Sequence, residues 1–374
     1  MNEAPFPEEA GLSTEVSFGI IKLIDQTTER RSPMAKLYVG LDLGSRHFEQ
    51  VAMRLNGEVV TKRRYQTSEA NLRQAVSELK GEIHVHMEAG ELAGWVREII
   101  KPYVKTVTIS HARDNAWIAK DPNKRDSIDA FKLADLLRMN RVRPVYYSDD
   151  PARRNFKQLV QHYGDLTAHE VALKAMIKSR FRTQGVIVHN SSLFTEKGFK
   201  QALSRVGTPE IRTTILQLYK VLAHTLEARE QAQADMIKAG RKFPEVKLLD
   251  GVPGIGPIGA ARFSAYVQTP YRFSNKRKLW RYCRLGISYR SSDGKPLSYP
   301  KLDRAGCGPL KDVARKAFQA ALRTKDDNQF KRAYEQALAS THNKTHARLT
   351  VMRKIVSVLR AMWLTNSPYQ DELG

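Results

Sequence analysis

Between residues 37 and 110 the apolar positions come in short, strand-length blocks; beyond residue 127 they fall into helical spacing. The blocks Leu37–Gly44, His47–Leu55 and Glu58–Gln66 predict three consecutive strands, the last two joined by a turn at Asn56-Gly57. Thr67 or Ser68 is placed to cap a helix running through Leu79, with Leu72, Val76 and Leu79 on one face. A strand at Glu82–Ala89, a helix over Glu91–Ile100, a strand at Lys105–Ser110 and a helix over Ser127–Met139 follow. Three antiparallel strands and then alternating helix and strand is the element order of an RNase-H-like α/β fold.

Pro144 and Pro151 mark a boundary. Beyond it, Ala152–Gln184 carries Phe156, Leu159, Tyr163, Leu166, Leu173 and Ile177 at near-heptad steps. Pro209–Ala239 carries Ile211, Ile215, Leu218, Leu222 and Leu226 along one stripe. Two long amphipathic helices joined by a looser segment predict an antiparallel hairpin or a coiled-coil arm, or else part of an ordinary bundle core. Further helices are expected at Gly308–Thr324, Asn328–Leu338 and, basic and amphipathic, at His346–Trp363. The chain thus divides into an extension at 1–35, an RNase-H-like α/β domain at 36–150, a helical or coiled-coil region at 151–245 and a mostly α-helical domain at 246–374. The extension is rich in Pro, Glu, Thr and Ser; Val16 to Ile24 could form one short element, and the rest is expected to be poorly ordered.

Charge changes the picture. The 374 residues hold 62 Lys and Arg against 39 Asp and Glu, a net charge of +23. Such an excess favours a polyanion, because each neutralised phosphate releases counterions. No apolar run approaches the roughly 20 residues that span a bilayer, so no membrane role is expected. Two cysteines, Cys283 and Cys307, and no CxxC pair argue against a disulfide framework and a structural zinc site. The N-terminus shows no basic region leading into an apolar core, so a cytoplasmic location, close to the nucleoid, is the expectation.

Within this basic chain four carboxylates stand at the ends of elements. Asp42 follows the first apolar strand and precedes Gly44-Ser45; Glu88 ends a later strand just before Ala89-Gly90; Asp126 and Asp129 lie i,i+3 at a helix start. Asp135 is a weaker alternative, lying two turns further down that helix. Hard oxygen ligands on neighbouring elements suit divalent ions such as Mg²⁺ or Mn²⁺, which in phosphodiester chemistry sit about 3.5–4 Å apart.

The second chemical region opens at Val252-Pro-Gly-Ile-Gly256, a helix-hairpin-helix signature. Gly254 and Gly256 would let the backbone approach a DNA phosphate at the following helix N-terminus, or would simply pack two helices. The basic run Lys276-Arg277-Lys278 favours the phosphate. Downstream, Tyr289-Arg290-Ser291-Ser292-Asp293-Gly294-Lys295 reads by itself as a polar turn flanked by two cations, Arg290 and Lys295.

These motifs, over about residues 36–365, resemble the insertion-sequence-110 transposases, which include the Piv/MooV-type DNA invertases. Asp42, Glu88, Asp126 and Asp129 match that family's DEDD tetrad, and Lys124-Arg-Asp-Ser-Ile-Asp-Ala130 with Leu133-Ala134 its Lys-x-Asp-x-x-Asp-Ala-x-x-Leu-Ala segment. Val252–Gly256, Tyr271-Arg-Phe273 and Leu285-Gly-Ile287 fall where its second domain has equivalent motifs, and Arg290–Lys295 is similar to its serine loop. The resemblance implies a site-specific DNA recombinase with a Mg²⁺- or Mn²⁺-dependent acidic site and a nucleophilic serine, Ser292. It further implies target and donor DNA as partners, a structured guide RNA in many members, and homodimers assembling into homotetramers. A resolvase-type nuclease using water on the same carboxylates, and a domesticated binding protein with a vestigial site, are the alternatives.

Overall fold

The computed structural model describes residues 35–112, 126–188, 191–288, 291–292, 295–296 and 301–371, with backbone alone at 126–127, 191, 291–292 and 295–296. The N-terminal extension, with the element expected at Val16 to Ile24, lies outside the described residues. The chain forms two compact units, one up to Tyr147 and one from Ser148.

The first unit is built on a five-stranded sheet. Its strands are β1 (Lys36–Leu43), β2 (His47–Met53), β3 (Val59–Gln66), β4 (Glu82–Glu88) and β5 (Thr106–Ser110), in the order β3-β2-β1-β4-β5. The three sequential strands pair antiparallel, while β4 runs parallel to both β1 and β5. Side chains of a strand alternate between faces, and the two faces here differ. Leu37, Val39 and Leu41 point into a core with Val85, Met87 and the helices α1 (Glu69–Ser77) and α2 (Ala93–Ile100). Ser68 caps α1 by accepting from the Asn71 N–H, as its position before the apolar stripe predicts. The other face carries Tyr38, Gly40 and Asp42, and is covered by α3 (Asp126–Arg138) through Ala130 and Ala134.

The seating of α3 is unusually close. A Cβ on Gly40 would stand 2.0 Å from the Ala130 carbonyl oxygen and 2.6 Å from the Ala134 nitrogen, so helix backbone lies directly on strand backbone. His86, one strand over, adds a polar fastening. Its Nδ1 lies 2.8 Å from the Leu133 carbonyl oxygen, which can only accept, so this nitrogen donates; its Nε2 then accepts from the Ser110 hydroxyl, also at 2.8 Å. The imidazole is fully buried, and burial pushes its pKa below the ordinary histidine range.

The second unit is helical. α4 (Pro151–Thr183) and α6 (Pro209–Gly240) lie antiparallel, since Phe156 meets Gly240 while Glu170 binds Arg229. The segment between them is more ordered than the sequence suggests: α5 (Glu196–Ser204), capped by Thr195, buries Phe199 and Ala202 against Phe181, Ile215 and Leu222. At the other end of the pair α7 (Pro244–Asp250), α8 (Gly256–Val267), α9 (Lys276–Tyr282), α10 (Gly308–Arg323), α11 (Gln329–Thr341) and α12 (Lys344–Thr365) enclose one large core. Arg153 at the start of α4 is tied into it, donating to the buried Glu245, which also accepts from the Ser264 hydroxyl. Four two-residue strands border the segment where the serine loop was expected: β6 (Ile287–Ser288), β7 (Ser291–Ser292), β8 (Lys295–Pro296) and β9 (Lys301–Leu302).

Two outcomes follow for the first unit. Gly40→Ala is expected to cost on the order of 1–3 kcal/mol or more, because backbone rather than a flexible side chain must yield; denaturant unfolding checks this, and an equally stable variant would mean that α3 is not seated as described. His86 is neutral in the folded state, and its pKa there is depressed. As pH falls below about 6.5 the unfolded chain takes up a proton that the folded one refuses. This group's contribution is therefore present in full above that pH and declines below it. The melting temperature should fall between pH 7 and pH 5, and fall less in His86→Asn.

Candidate functional site

The acidic site is assembled on the α3 face of the sheet. Along β1 that face carries Tyr38, Gly40 and Asp42; along β4 it carries His84, His86 and Glu88. The register pairs Tyr38 with His84, Gly40 with His86 and Leu41 with Met87, so Asp42 and Glu88 come next, side by side. The rings of Tyr38 and His84 stack at 5.7 Å further down the same two strands. Asp42 and Glu88 line one cleft of about 340 Å³ at the strand ends, with Ser45, Gly90 and Glu91 on its rim. Parallel strands present their C-terminal ends to ligands at such places.

The helix start comes to the same edge. Ala130 and Ala134 rest on Gly40, while Arg138 reaches the Leu55 carbonyl at the opposite edge, so α3 runs against β1 and its first turn lies toward Asp42. Asp129 is in that first turn, and its Oδ1 is buried with no hydrogen-bond partner among the described residues. Asp126 begins the helix, but its side chain lies outside the described residues. Asp135 is committed elsewhere: it accepts from Arg138 at 2.6 and 2.9 Å.

Among the described residues no three His, Cys, Asp or Glu side chains stand close enough to hold a metal by themselves. The donor chemistry nevertheless suits one. The available atoms are carboxylate oxygens, the ligands of hard divalent cations. A buried carboxylate oxygen without a donor is also costly unless a cation completes it.

A fifth acid was missed by sequence reasoning. Glu49 of β2 is paired directly with Asp42 and shares its face. The signal was present in the short Gly44–Arg46 connection, which fixes the pairing of the two strands, but it needed the register and not merely the alternation. Glu49 is 3.5 Å from Arg64 of β3.

In the second unit the candidate residues separate. Gly254 and Gly256 both take positive φ, at 86° and 60°. At Gly254 a Cβ would stand 2.3 Å from the Ala317 carbonyl oxygen of α10, so this glycine permits helix packing. Gly256 has nothing within 4 Å of its Cβ position and opens α8. Lys276, Arg277 and Lys278 form the exposed first turn of α9, which Asn275 caps through the Lys278 N–H. Cations there oppose the helix dipole. Ser292 and Lys295 are opposed in the β7–β8 pair; their side chains, and Arg290, lie outside the described residues.

Comparison with known families gives two matches. A transposase model of the DEDD, IS110 type matches residues 39–183. A second, described as Transposase IS116/IS110/IS902 family, matches residues 246–335. No curated protein matches the chain. The first match covers the sheet with its acidic edge and continues into α4, and the second covers the helical core that carries Gly254 and the basic turn. Together the two span more than half of the sequence in the order the motifs require: the chain belongs to the IS110 family and is a DNA transposase.

Proposed function

We propose that this transposase is a recombinase that cuts and rejoins DNA with divalent ions held by Asp42, Glu88, Asp126 and Asp129 and with Ser292 as nucleophile. The observation that carries the reading is the convergence of Asp42, Glu88 and the first turn of α3 on one edge, where Asp129 keeps a buried oxygen without a donor among the described residues. The sheet order β3-β2-β1-β4-β5, with its first three strands antiparallel, supports an RNase-H-like, RuvC-like domain. The seam of α4 and α6 supports a coiled-coil arm.

Bound Mg²⁺ or Mn²⁺ would supply Lewis-acid stabilisation of charge on the phosphate and would lower the pKa of a coordinated hydroxyl. The protein's part is to orient the carboxylates and the serine. In the proposed step the Ser292 Oγ forms a bond to phosphorus and one phosphate ester bond of the DNA breaks. The serine proton passes to solvent, and the departing deoxyribose oxygen takes up a proton. The phosphoserine ester conserves the bond, so attack by another DNA hydroxyl restores both serine and a continuous strand. The exposed cations of α9 and the net charge of +23 suit DNA together with a guide RNA. Homodimers joined into tetramers would let the serine of one subunit serve the acidic site of another.

Two outcomes test this reading. Asp42→Asn should abolish strand cleavage while DNA affinity stays within about threefold, since a carboxylate that holds an ion contributes little to phosphate binding. Full activity of the wild type in EDTA would contradict it. On a denaturing gel of labelled DNA, Ser292→Ala should lose the covalent protein–DNA adduct, and Ser291→Ala should retain it. Hydrolytic nicks with no adduct in the wild type would assign the chemistry to water instead.

A further inference from the structure

One row of charged residues crosses four strands at the level of the acidic edge. Arg64 of β3 is paired with Glu49 of β2, Glu49 with Asp42 of β1, and Glu88 of β4 stands beside Asp42. All four lie on the face that α3 covers further down the sheet. Like charges on adjacent strands are unfavourable, and this row sets three carboxylates next to one another. Arg64 stands at the end of this row, beside Glu49.

The pairing of Arg64 is loose. Its Nε is 3.5 Å from Glu49 Oε1, and among the described residues it has no other polar contact. The Arg64 side chain is 59% exposed, whereas that of Glu49 is 12% exposed. The carboxylate thus meets the guanidinium at Nε alone, on a side chain that is mostly exposed. The neighbouring cation behaves differently: Arg63 points to the opposite face and donates to Glu78. Lys62, two residues before Arg64 and on its face, is exposed and opposite Val51. β3 is an outer strand of the sheet, so no further strand covers this side.

Cations on an outer strand often serve only to block sheet-to-sheet association. That role needs no nearly buried acid beneath the arginine. Glu49 is placed beside Asp42, and among the described residues its polar partner is Arg64, which suits it to orient that arginine. Neighbouring strands lie about 4.8 Å apart, so Arg64 stands roughly 10 Å from Asp42. A strand cut at the acidic edge runs on past it, and cations along that path can hold its phosphates.

The geometry points to Arg64, oriented by Glu49 and assisted by Lys62, as the clamp that holds the backbone of the DNA strand entering the acidic site. This rests on the reading that DNA is cut at that site. Arg64 binds one phosphate through its terminal NH groups, and Glu49 is a positioning residue that does not touch the DNA.

The test measures DNA binding by fluorescence anisotropy across a range of NaCl concentrations, with Asp42→Asn present in every protein so that no strand is cut. Arg64→Gln should weaken binding about tenfold and lower the slope of log K against log salt by about one. The melting temperature should not change. Arg64→Lys should restore the slope but not all of the affinity, because the ammonium keeps the charge and loses the fork. Glu49→Gln should weaken binding by a smaller factor and leave the slope intact. An unchanged slope in Arg64→Gln overturns the proposal, as does a loss matched by a fall in melting temperature or a loss confined to an RNA of the same sequence. Should Arg64→Gln fail to fold, Lys62→Gln and Arg64→Lys read the same slope. Absence of metal-dependent cleavage in the wild type would defeat the functional reading alone, since the salt slope is obtained without cleavage.

Discussion

The contact between Gly40 and the backbone of α3 is the constraint on which the first unit depends. A helix normally rides on a sheet with side chains between them. Here the Ala130 carbonyl and the Ala134 nitrogen sit where any side chain on residue 40 would be. Alanines at 130 and 134 make that approach possible from the helix side, and glycine makes it possible from the strand side, at an entropic cost of about 0.5–1 kcal/mol. The result is that the first turn of α3, with Asp129, lies toward the strand ends that carry Asp42 and Glu88. His86 holds the same helix by a different means, through a hydrogen bond to the Leu133 carbonyl. One contact limits the distance between helix and sheet, and the other limits rotation.

Much of this was legible in the chain because alternation and spacing report burial directly. Lys36–Leu43, Glu82–Glu88 and the helix start at Asp126 stand within a residue or two of their expected places. The candidate acids Asp42 and Glu88 could be read because each ends an apolar pattern. Glu49 could not be read in this way, since it sits within a strand and gains its meaning only from the residue opposite. The basic run 276–278 was legible as charge but not as the opening turn of a helix, because Asn275 is the sole local signal. Gly254 shows the limit of motif reading: the two candidate roles of the Pro-Gly-Ile-Gly run predict the same residues, and only the nearness of Ala317 distinguishes them. The segment between the long helices looked loose because Phe199 and Ala202 of α5 find their partners on α4 and α6, distant in sequence.

The second unit uses buried charge where the first uses close packing. Glu245 is 5% exposed, yet it is satisfied by Arg153 from α4 and Ser264 from α8. The Arg153 guanidinium also lies over the ring of Phe243 at 4.8 Å and that of Trp363 at 5.8 Å. Arg153 of α4 therefore meets α7 and α12, elements far from it in sequence. Removing either member of such a buried pair strands the other, at a cost of about 3–5 kcal/mol.

Glu170 does something similar further along the long helices, with a geometric consequence. Burial alone would raise its carboxyl pKa, but Lys174 and Arg229, both at 2.6 Å, hold it below the ordinary range. Arg229 belongs to the opposite helix, so a slide of one turn would cost Glu170 its cross-helix partner and leave it Lys174 alone. The 33 residues of α4 amount to about 50 Å of helix, and with its register locked this pair is a ruler of fixed length. Lengthening both helices by seven residues would keep the apolar seam and move the tip outward by about 10 Å. Lengthening them by three or four would turn the tip to face another direction.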